Sequence, residues 1–276
     1  MTLALNGKAA IVTGVSSGVG EGIAEALASA GARVAGIARR ADRGEALAAR
    51  IRAAGGDCTF LAADLADRAD CERVVAEAQA RLGRIDILVN NAATKCDLLA
   101  TELHAPEEWD RVVDMNLSSV FRMCRLVLPG MRARRDGVII NIASINAVFG
   151  NMYMAPYNAA KAGVVNLTRT IAAEAVADGV RANAIILGGV PSEMNLAFAA
   201  ETAAMVKGHP VQPTPEQIAA FNAAQMPALD VGRALALLCT DAARLITGSE
   251  IAIDGALTCG FGLSQFIIGA STAALG

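Results

Sequence analysis

Short runs of β-branched and other apolar residues alternate along the chain with longer, alanine-rich stretches. Several short runs are apolar almost throughout, which is typical of parallel strands covered by helices on both faces. This alternation predicts an α/β fold, a three-layer doubly wound parallel sheet of about seven strands. The predicted strands are 8–13, 32–38, 57–62, 85–90, 137–142, 180–186 and 250–254, and the predicted helices are 18–30, 41–54, 67–82, 106–134, 156–177 and 229–240.

Residues 188–227 interrupt the alternation. The segment begins with two glycines and contains five of the eight prolines, together with apolar residues such as Met205. An insertion of this length in a compact domain is usually functional, so we predict a substrate-binding lid. An inert surface excursion is the alternative.

No internal repeat or linker divides the chain, and a single domain over residues 1–276 is predicted. The end of the sequence contains the apolar segment FGLSQFII. Such a segment is too apolar for a free solvated end. We therefore predict that the tail, residues 259–276, packs against its own subunit or a neighbouring one.

Composition and charge narrow the function classes. The net charge is −3, from 24 basic and 27 acidic residues, which argues against a general nucleic-acid-binding protein. No apolar run reaches the roughly 18–20 residues of a membrane span, and no signal-peptide pattern is visible at the N-terminus. The six cysteines are scattered and the chain has two histidines, so we expect reduced thiols, no metal site and a cytoplasmic location.

The first predicted strand leads directly into a glycine-rich turn, TGVSSGVG at 13–20, and then into a helix. Glycines permit a tight turn, and the helix N-terminus offers free amides to a pyrophosphate. The same residues also match G-x-S-x-G, the nucleophile elbow of serine hydrolases, with Ser16 as the nucleophile. That alternative is weak, because His104 and His209 are the only later histidines and neither stands in a recognisable triad context.

Tyr157 and Lys161 stand four residues apart at the start of a long helical stretch. The spacing places a phenol and an ammonium on one helix face, one turn apart. A positive charge beside a phenol favours the phenolate, so we predict a lowered pKa for Tyr157. The pair indicates a general acid/base for interconversion of a carbonyl and an alcohol.

With the glycine-rich turn, N90-N91-A92, Asn116, Ser144 and Y157-x-x-x-K161 in order, the chain resembles the short-chain dehydrogenase/reductase family over about residues 7–258. The resemblance implies a Rossmann-like fold and the catalytic tetrad Asn116, Ser144, Tyr157 and Lys161. Tyr157 would exchange a proton with the substrate oxygen as hydride moves to or from a nicotinamide. Ser144 would hold that oxygen, Lys161 would bind the nicotinamide ribose, and Asn116 would anchor a water.

The resemblance also implies a set of cofactor contacts. Asp64 corresponds to the residue at the adenine, Asn90 and Ala92 flank the adenosine ribose, and Val190 and Ser192 hold the carboxamide. The full predicted set is Gly14, Ser16, Ser17, Gly18, Val19, Gly20, Arg39, Arg40, Asp64, Leu65, Asn90, Ala92, Tyr157, Lys161, Val190 and Ser192. Three positions depart from the family pattern: Ala93, Leu187 and Ser192 replace a usual glycine, proline and threonine.

Cofactor choice depends on the end of the second predicted strand. An enzyme that uses NAD carries an acid there to hold the ribose hydroxyls, whereas this chain has Ala38, followed by Arg39 and Arg40. A guanidinium can pair with a 2′-phosphate. We therefore predict NADP(H) in preference to NAD(H), with Arg39 as the leading contact and Arg40 second; two solvated arginines and a weak preference are the alternative.

The predicted activity is hydride transfer between NADP(H) and a ketone or secondary alcohol, with a mid-sized hydrophobic or cyclic substrate favoured. A 3-oxoacyl thioester is the alternative within the same chemistry, and a non-catalytic NADP-binding sensor is the alternative of another class. Ser144, Lys95, Asn146, Tyr153 and Met194 are the predicted substrate contacts. The candidate pocket walls are Thr94, Lys95, Ile145, Asn146, Met152, Tyr153, Met194, Leu196 and Phe198.

The resemblance implies a homo-oligomer, most simply a homotetramer or a homodimer. The alanine-rich faces of the helices predicted at 106–134 and 156–177 suit burial around a twofold axis. No nucleic-acid or membrane partner is expected.

Overall fold

The computed structural model describes residues 4–259, which form a seven-stranded, entirely parallel sheet. The strand order is β3-β2-β1-β4-β5-β6-β7, and the order reverses between β1 and β4. The strands are β1 Ala9–Thr13, β2 Arg33–Ala38, β3 Asp57–Ala62, β4 Ile87–Asn90, β5 Gly137–Ile142, β6 Val180–Leu187 and β7 Glu250–Ile253. In a doubly wound sheet, the crevice at the carboxyl ends of the strands beside such a reversal is the usual ligand site.

Helices cover both faces of the sheet and were predicted within a few residues for most of the chain. They are α1 Val19–Ser29, α2 Ala41–Ala53, α3 Arg68–Leu82, α4 Pro106–Val113, α5 Ser119–Arg134, α6 Ala155–Ala175, α7 Glu193–Lys207, α8 Pro215–Ala223 and α9 Ala228–Leu238. The prediction of a single helix over 106–134 is wrong in one respect. A π-helical turn, Asp114–Ser118, separates α4 from α5.

The core lies in two layers, one on each side of the sheet. Alternate residues of β1 point to opposite sides, so that Ala10 and Val12 pack with α1 and α9, whereas Ala9 and Ile11 pack with α3, α5 and α6. All four side chains are fully buried. This two-sided burial explains why β1 is apolar along nearly all of its length.

The tail prediction lies outside the described residues, apart from Cys259. Within residues 4–259 no helix is both long enough and apolar enough to cross a bilayer. The cysteines are free thiols, five of them buried and Cys259 exposed.

Close contact between α1 and α9 depends on two glycines. A Cβ added to Gly22 would lie 2.3 Å from the carbonyl carbon of Ala228, and one added to Gly232 would lie 2.2 Å from the carbonyl oxygen of Gly22. Because backbone cannot rotate away, we expect Gly22→Ala to lower the free energy of unfolding by about 3 kcal/mol, as overpacking does. Urea denaturation measures the change.

Gly130→Ala is the matched control, since Gly130 also lies within a helix. The nearest atom to its added Cβ is the end of the flexible Arg134 side chain, at 3.2 Å. An alanine there should leave stability unchanged or raise it by about 0.5–1 kcal/mol. Equal effects of the two substitutions would show that the α1–α9 contact tolerates a wider spacing.

Candidate active site

The turn between β1 and α1 brings backbone unusually close to its neighbours. Gly14 and Gly18 have φ values of 74° and 61°, which favour glycine. A Cβ on Gly14 would lie 2.8 Å from the Cα of Ala92, and a Cβ on Gly20 would lie 2.2 Å from the carbonyl oxygen of Gly14. The glycines therefore permit a compact cradle at the start of α1, where free amides suit a phosphate.

The loop after β4 is fastened to this turn by Thr13 and Asn91. The Thr13 hydroxyl accepts hydrogen bonds from the backbone amides of Asn91 (2.9 Å) and Ala92 (3.0 Å). The Asn91 side chain donates to the carbonyl oxygen of Thr13 at 3.0 Å. The sequence analysis did not predict that Thr13 and Asn91 fasten this loop, although two consecutive asparagines at the end of a strand were a visible signal.

Asn90, which was predicted to flank a ribose, lies elsewhere. Its amide is buried between strands and donates to Asn141 Oδ1 at 2.8 Å and to the Cys124 sulfur at 3.3 Å. Neighbouring residues of one strand point to opposite faces, so Asn90 faces the core while Asn91 reaches the turn. Asn91 lines the strand-end cleft and Asn90 does not, so the predicted place of Asn90 beside a ribose stays a prediction.

A cleft of about 370 Å³ opens at the carboxyl ends of the strands; we call it the strand-end cleft. It extends from the glycine-rich turn past the end of β2 to Tyr157, and the glycine cradle leaves room for a pyrophosphate at one end. The residues therefore fit a dinucleotide. Of the predicted cofactor contacts, the walls include Gly14, Ser16, Ser17, Val19, Arg39, Arg40, Leu65, Ala92, Tyr157, Lys161, Val190 and Ser192.

The other predicted contacts do not line the strand-end cleft. Gly18 and Gly20 shape the turn behind it, and Ala63 and Leu65 take the wall position predicted for Asp64. The Asp64 carboxylate accepts a hydrogen bond from the backbone amide of Ala66.

The two arginines after β2 differ in their surroundings. Arg39 lines the cleft, is exposed, and makes no hydrogen bond or ion pair with another residue among those described. Arg40 donates to the hydroxyls of Ser16 (3.1 Å) and Ser17 (2.9 Å) and pairs with Glu193 at the start of α7. Arg39 therefore has the freer guanidinium.

Tyr157 and Lys161 lie one turn apart on α6, and both are buried. The Lys161 ammonium donates to the carbonyl oxygen of Ile142 at 2.9 Å and lies 5.7 Å from the centre of the Tyr157 ring. Phe198 of α7 packs edge-to-face on that ring, with 5.9 Å between ring centres. The structure thus brings the predicted pair together at the wall of the cleft.

The predicted direction of the Tyr157 pKa shift is wrong for the protein alone. Burial raises the pKa of Tyr157 to about 12, although a hydrogen bond with Ser144 opposes the rise. Burial also lowers the pKa of Lys161 to about 8. Desolvation disfavours the charged form of each group and outweighs the expected effect of the ammonium. Tyr157 therefore keeps its proton at neutral pH, as a general acid must.

Ser144 follows β5 and is held by a network of asparagines. Its hydroxyl accepts from the backbone amide of Asn146 (3.2 Å) and donates to Asn146 Oδ1 (3.4 Å). Asn146 in turn donates to Asn158 Oδ1 (2.9 Å) and accepts from Asn151 (3.0 Å). The Asn146 amide, predicted to bind substrate, is thus engaged within the protein and orients Ser144.

Asn116 lies in the π-helical turn and is fully buried. Its side chain exchanges two hydrogen bonds of 2.9 Å with the backbone amide and carbonyl of Thr94. These bonds fasten the loop after β4 to the helix. The side chain does not line the strand-end cleft, so its predicted part in a water relay stays a prediction.

A second cavity, of about 330 Å³, lies beside the cleft; we call it the apolar cavity. Its apolar walls are Ile145, Met154, Leu187, Phe198, Ala199, Phe221, Ala224, Met226 and Leu257. Ser144 and Tyr157 line both spaces, together with Leu187, Gly188 and Asn195. A molecule bound in the strand-end cleft and a second molecule bound in the apolar cavity would therefore meet beside the hydroxyls of Ser144 and Tyr157.

Several predicted substrate contacts lie outside the apolar cavity. Lys95 forms an ion pair with Glu201 of α7, and Met194 lines the strand-end cleft instead. Thr94 accepts from Arg111, and Leu196 packs with Ala199 and Phe221.

Met152 and Tyr153 are 78% and 43% exposed and do not line the cavity. Sequence reasoning missed Gln225, Phe221 and Met154, since nothing local distinguishes them. Phe221 and Gln225 reach the wall because α8 and the following loop fold back, whereas Met154 lies at the start of α6.

The serine hydrolase alternative finds no support in the geometry. The Ser16 hydroxyl contacts Arg40, and neither histidine is its partner. Among the described residues the ring nitrogens of His104 have no hydrogen-bond partner, and His209 contacts the carbonyl oxygen of Pro210. Within residues 4–259 no cluster of three or more metal-binding side chains is present.

Comparison with known proteins agrees with this geometry. Residues 8–203 match the family model of short chain dehydrogenases. The chain is 34% identical over 252 residues to a 3-oxoacyl-acyl-carrier-protein reductase of Staphylococcus epidermidis, covering 91% of this chain and 98% of that protein.

Two crystal structures are similar to the whole domain. Levodione reductase has a TM-score of 0.83 at 29% identity, covering 93% of this chain and 99% of that one. Actinorhodin polyketide ketoreductase with NADPH has a TM-score of 0.81 at 31% identity, covering 90% and 96%. The sequence match, the parallel sheet and the Ser144–Tyr157–Lys161 site together show that this chain belongs to the short-chain dehydrogenase/reductase family of oxidoreductases.

Proposed function

We propose that the protein is an NADP(H)-dependent reductase of ketones and dehydrogenase of secondary alcohols. The observation that supports this most is the shared wall: Ser144 and Tyr157 border both the strand-end cleft and the apolar cavity. A carbonyl carbon at this boundary would face the cofactor on one side, while its oxygen would face the two hydroxyls. Proton transfer and hydride transfer would then be possible at adjacent atoms.

The residues have distinct parts in the proposed reduction. A nicotinamide cofactor supplies the hydride when bound. Tyr157 donates its phenolic proton to the substrate oxygen, and Ser144 hydrogen-bonds the same oxygen as negative charge develops there. Lys161 would hold the nicotinamide ribose and favour return of a proton to Tyr157. Oxidation of an alcohol follows the same path in reverse.

The walls of the apolar cavity favour a mid-sized hydrophobic or cyclic ketone. A 3-oxoacyl thioester is the second candidate, supported by the names of the similar curated proteins. NADPH oxidation with matched panels of cyclic ketones and 3-oxoacyl thioesters tests the proposal. Turnover of the ketone panel supports the first substrate class, and turnover of thioesters alone favours the second. NADPH binding without turnover on either panel would favour a sensor.

The free guanidinium of Arg39 supports the preference for NADP(H). A charge-assisted bond to the 2′-phosphate contributes about 1.5–3 kcal/mol. We therefore expect Arg39→Gln to raise the KM for NADPH about 10–100-fold and to leave the KM for NADH nearly unchanged. Steady-state kinetics with both cofactors measures the effect.

Arg43→Gln is the control for Arg39→Gln. Arg43 is a nearby cation of α2 that pairs with Glu193 and does not line the strand-end cleft. Its removal should change the KM for NADPH only slightly. Equal or better use of NADH by the unmodified enzyme would defeat the proposed preference.

We also propose that residues 188–227 act as a lid over the substrate. This is supported by Phe198 on the Tyr157 ring and by the ion pairs that Glu193 and Glu201 of α7 make with Arg40 and Lys95. Assembly as a homotetramer or homodimer and a cytoplasmic location stay predictions.

A further inference from the structure

We propose that Gln225 is a specificity-determining residue, which binds a second polar group of the substrate. The preferred substrate would then be a ketone with a hydroxyl or carbonyl oxygen remote from the reacting carbonyl. This inference rests on the proposed function, because it assumes that the apolar cavity holds the ketone.

Most polar side chains of the apolar cavity are engaged within the protein. The Asn146 amide has the partners described above, and the Thr202 hydroxyl donates to the carbonyl oxygen of Phe198 at 2.8 Å. Asp254 accepts from the amides of Ala256 (2.9 Å) and Thr258 (2.8 Å) and from the Thr258 hydroxyl. These groups stabilise the walls and have little capacity left for a ligand.

The amide groups of two further asparagines are partly engaged. Asn151 donates to Asn146, and Asn195 donates to the carbonyl oxygen of Val190 at 2.8 Å. Gln225 differs from all of these. Neither its amide nitrogen nor its amide oxygen has a hydrogen-bond partner among residues 4–259, although the side chain is half-buried and lines the cavity.

The Gln225 amide lies next to Gly189. A Cβ added to Gly189 would lie 1.9 Å from Gln225 Oε1, so the amide lies against that glycine. The backbone next to it is fastened there, since the amide of Met226 donates to the carbonyl oxygen of Gly189 at 3.1 Å. Gly189 follows Gly188, which lines both the strand-end cleft and the cavity. The free amide therefore lies on the side of the cavity formed by the loop after α8, whereas Ser144 and Tyr157 lie where the cavity borders the strand-end cleft.

A free amide in an apolar cavity favours substrates that carry a hydrogen-bonding group. It offers one acceptor and two donors, which match a hydroxyl or carbonyl oxygen without requiring charge. A site built to hydrogen-bond a substrate group discriminates against the analogue that lacks it, because the buried polar atoms are then left unpaired. Gln225 does not line the strand-end cleft, so its contribution should be confined to the substrate.

The test compares ketones that differ by one remote hydroxyl: cyclohexanone with 4-hydroxycyclohexanone, and 2-decalone with 6-hydroxy-2-decalone. We expect the unmodified enzyme to prefer a hydroxylated member in kcat/KM by about 10–100-fold, the range for one hydrogen bond to a half-buried amide. Gln225→Leu should remove that preference while the KM for NADPH stays unchanged. Gln79→Leu, on the exposed face of α3, is the matched control and should keep it.

Gly189→Ala gives an independent variant, because its Cβ would displace the amide and should reduce the same preference. Thermal unfolding of each variant shows that loss of preference is not loss of folding. If both ketones of each pair are turned over and Gln225→Leu shows the same preference as the unmodified enzyme, the inference about Gln225 is overturned and the proposed function stands. Absence of turnover with every ketone would overturn the proposed function and this inference with it.

Discussion

Replacement of Tyr157 by phenylalanine is expected to lower kcat by about 10²–10⁴-fold, the usual contribution of a positioned general acid. The phenyl ring should keep its contact with Phe198 and its place beside Cys96 and Val112, so the site should stay folded. The dissociation constant for NADPH should change little. Steady-state turnover of a ketone, together with NADPH binding by fluorescence, measures both effects.

Tyr153→Phe is the control for this prediction, since it removes the only other tyrosine hydroxyl of the chain. Tyr153 is exposed and lines neither the strand-end cleft nor the apolar cavity. Its replacement should leave kcat within about twofold, as is usual for surface changes away from a site. Comparable turnover in Tyr157→Phe and the unmodified enzyme would remove Tyr157 as the acid.

Replacement of Ser144 by alanine is expected to lower kcat by about 10²–10³-fold, the range for loss of one donor to a developing oxyanion. The physical reason is the preorganised position of the hydroxyl, which Asn146 holds before substrate arrives. Because this bond acts when charge develops, the loss should appear in kcat and much less in KM. Steady-state kinetics over a range of ketone concentrations separates the two.

Ser144→Thr keeps the hydroxyl and is the matched variant, expected to retain much more of the activity. Ser144 also caps the short 3₁₀ turn Ile145–Ala147, so its removal should cost about 1 kcal/mol of stability. Urea denaturation of both variants accounts for that part. An effect of Ser144→Ala on KM alone would mean that Ser144 binds the ground state and does not stabilise the transition state.

The strands and most helices were predictable because their signals are local. A parallel strand covered on both faces is apolar along its length, and the glycine-rich turn after β1 has its own spacing. The Tyr157–Lys161 pair was predictable for the same reason, since two residues spaced four apart in a helix lie on the same face, one turn apart. The structure confirms that they lie together.

Predictions failed where the outcome depends on packing between distant segments. The break in the helix predicted over 106–134 occurs where Asn116 bonds to the loop after β4. The pKa of Tyr157 follows its burial, which the spacing of two residues does not reveal.

The sequence by itself determined the parallel sheet, the glycine-rich turn after β1, and the placement of Tyr157 and Lys161 on one face of a helix. These features depend on periodicities of two and of about four residues and on the backbone freedom of glycine. Tertiary structure alone decided that Lys95 pairs with Glu201, that Asn146 holds Ser144, and that the Gln225 amide has no hydrogen-bond partner among residues 4–259. A side chain's availability to a ligand depends on which residues fold against it, and those residues are far away along the chain.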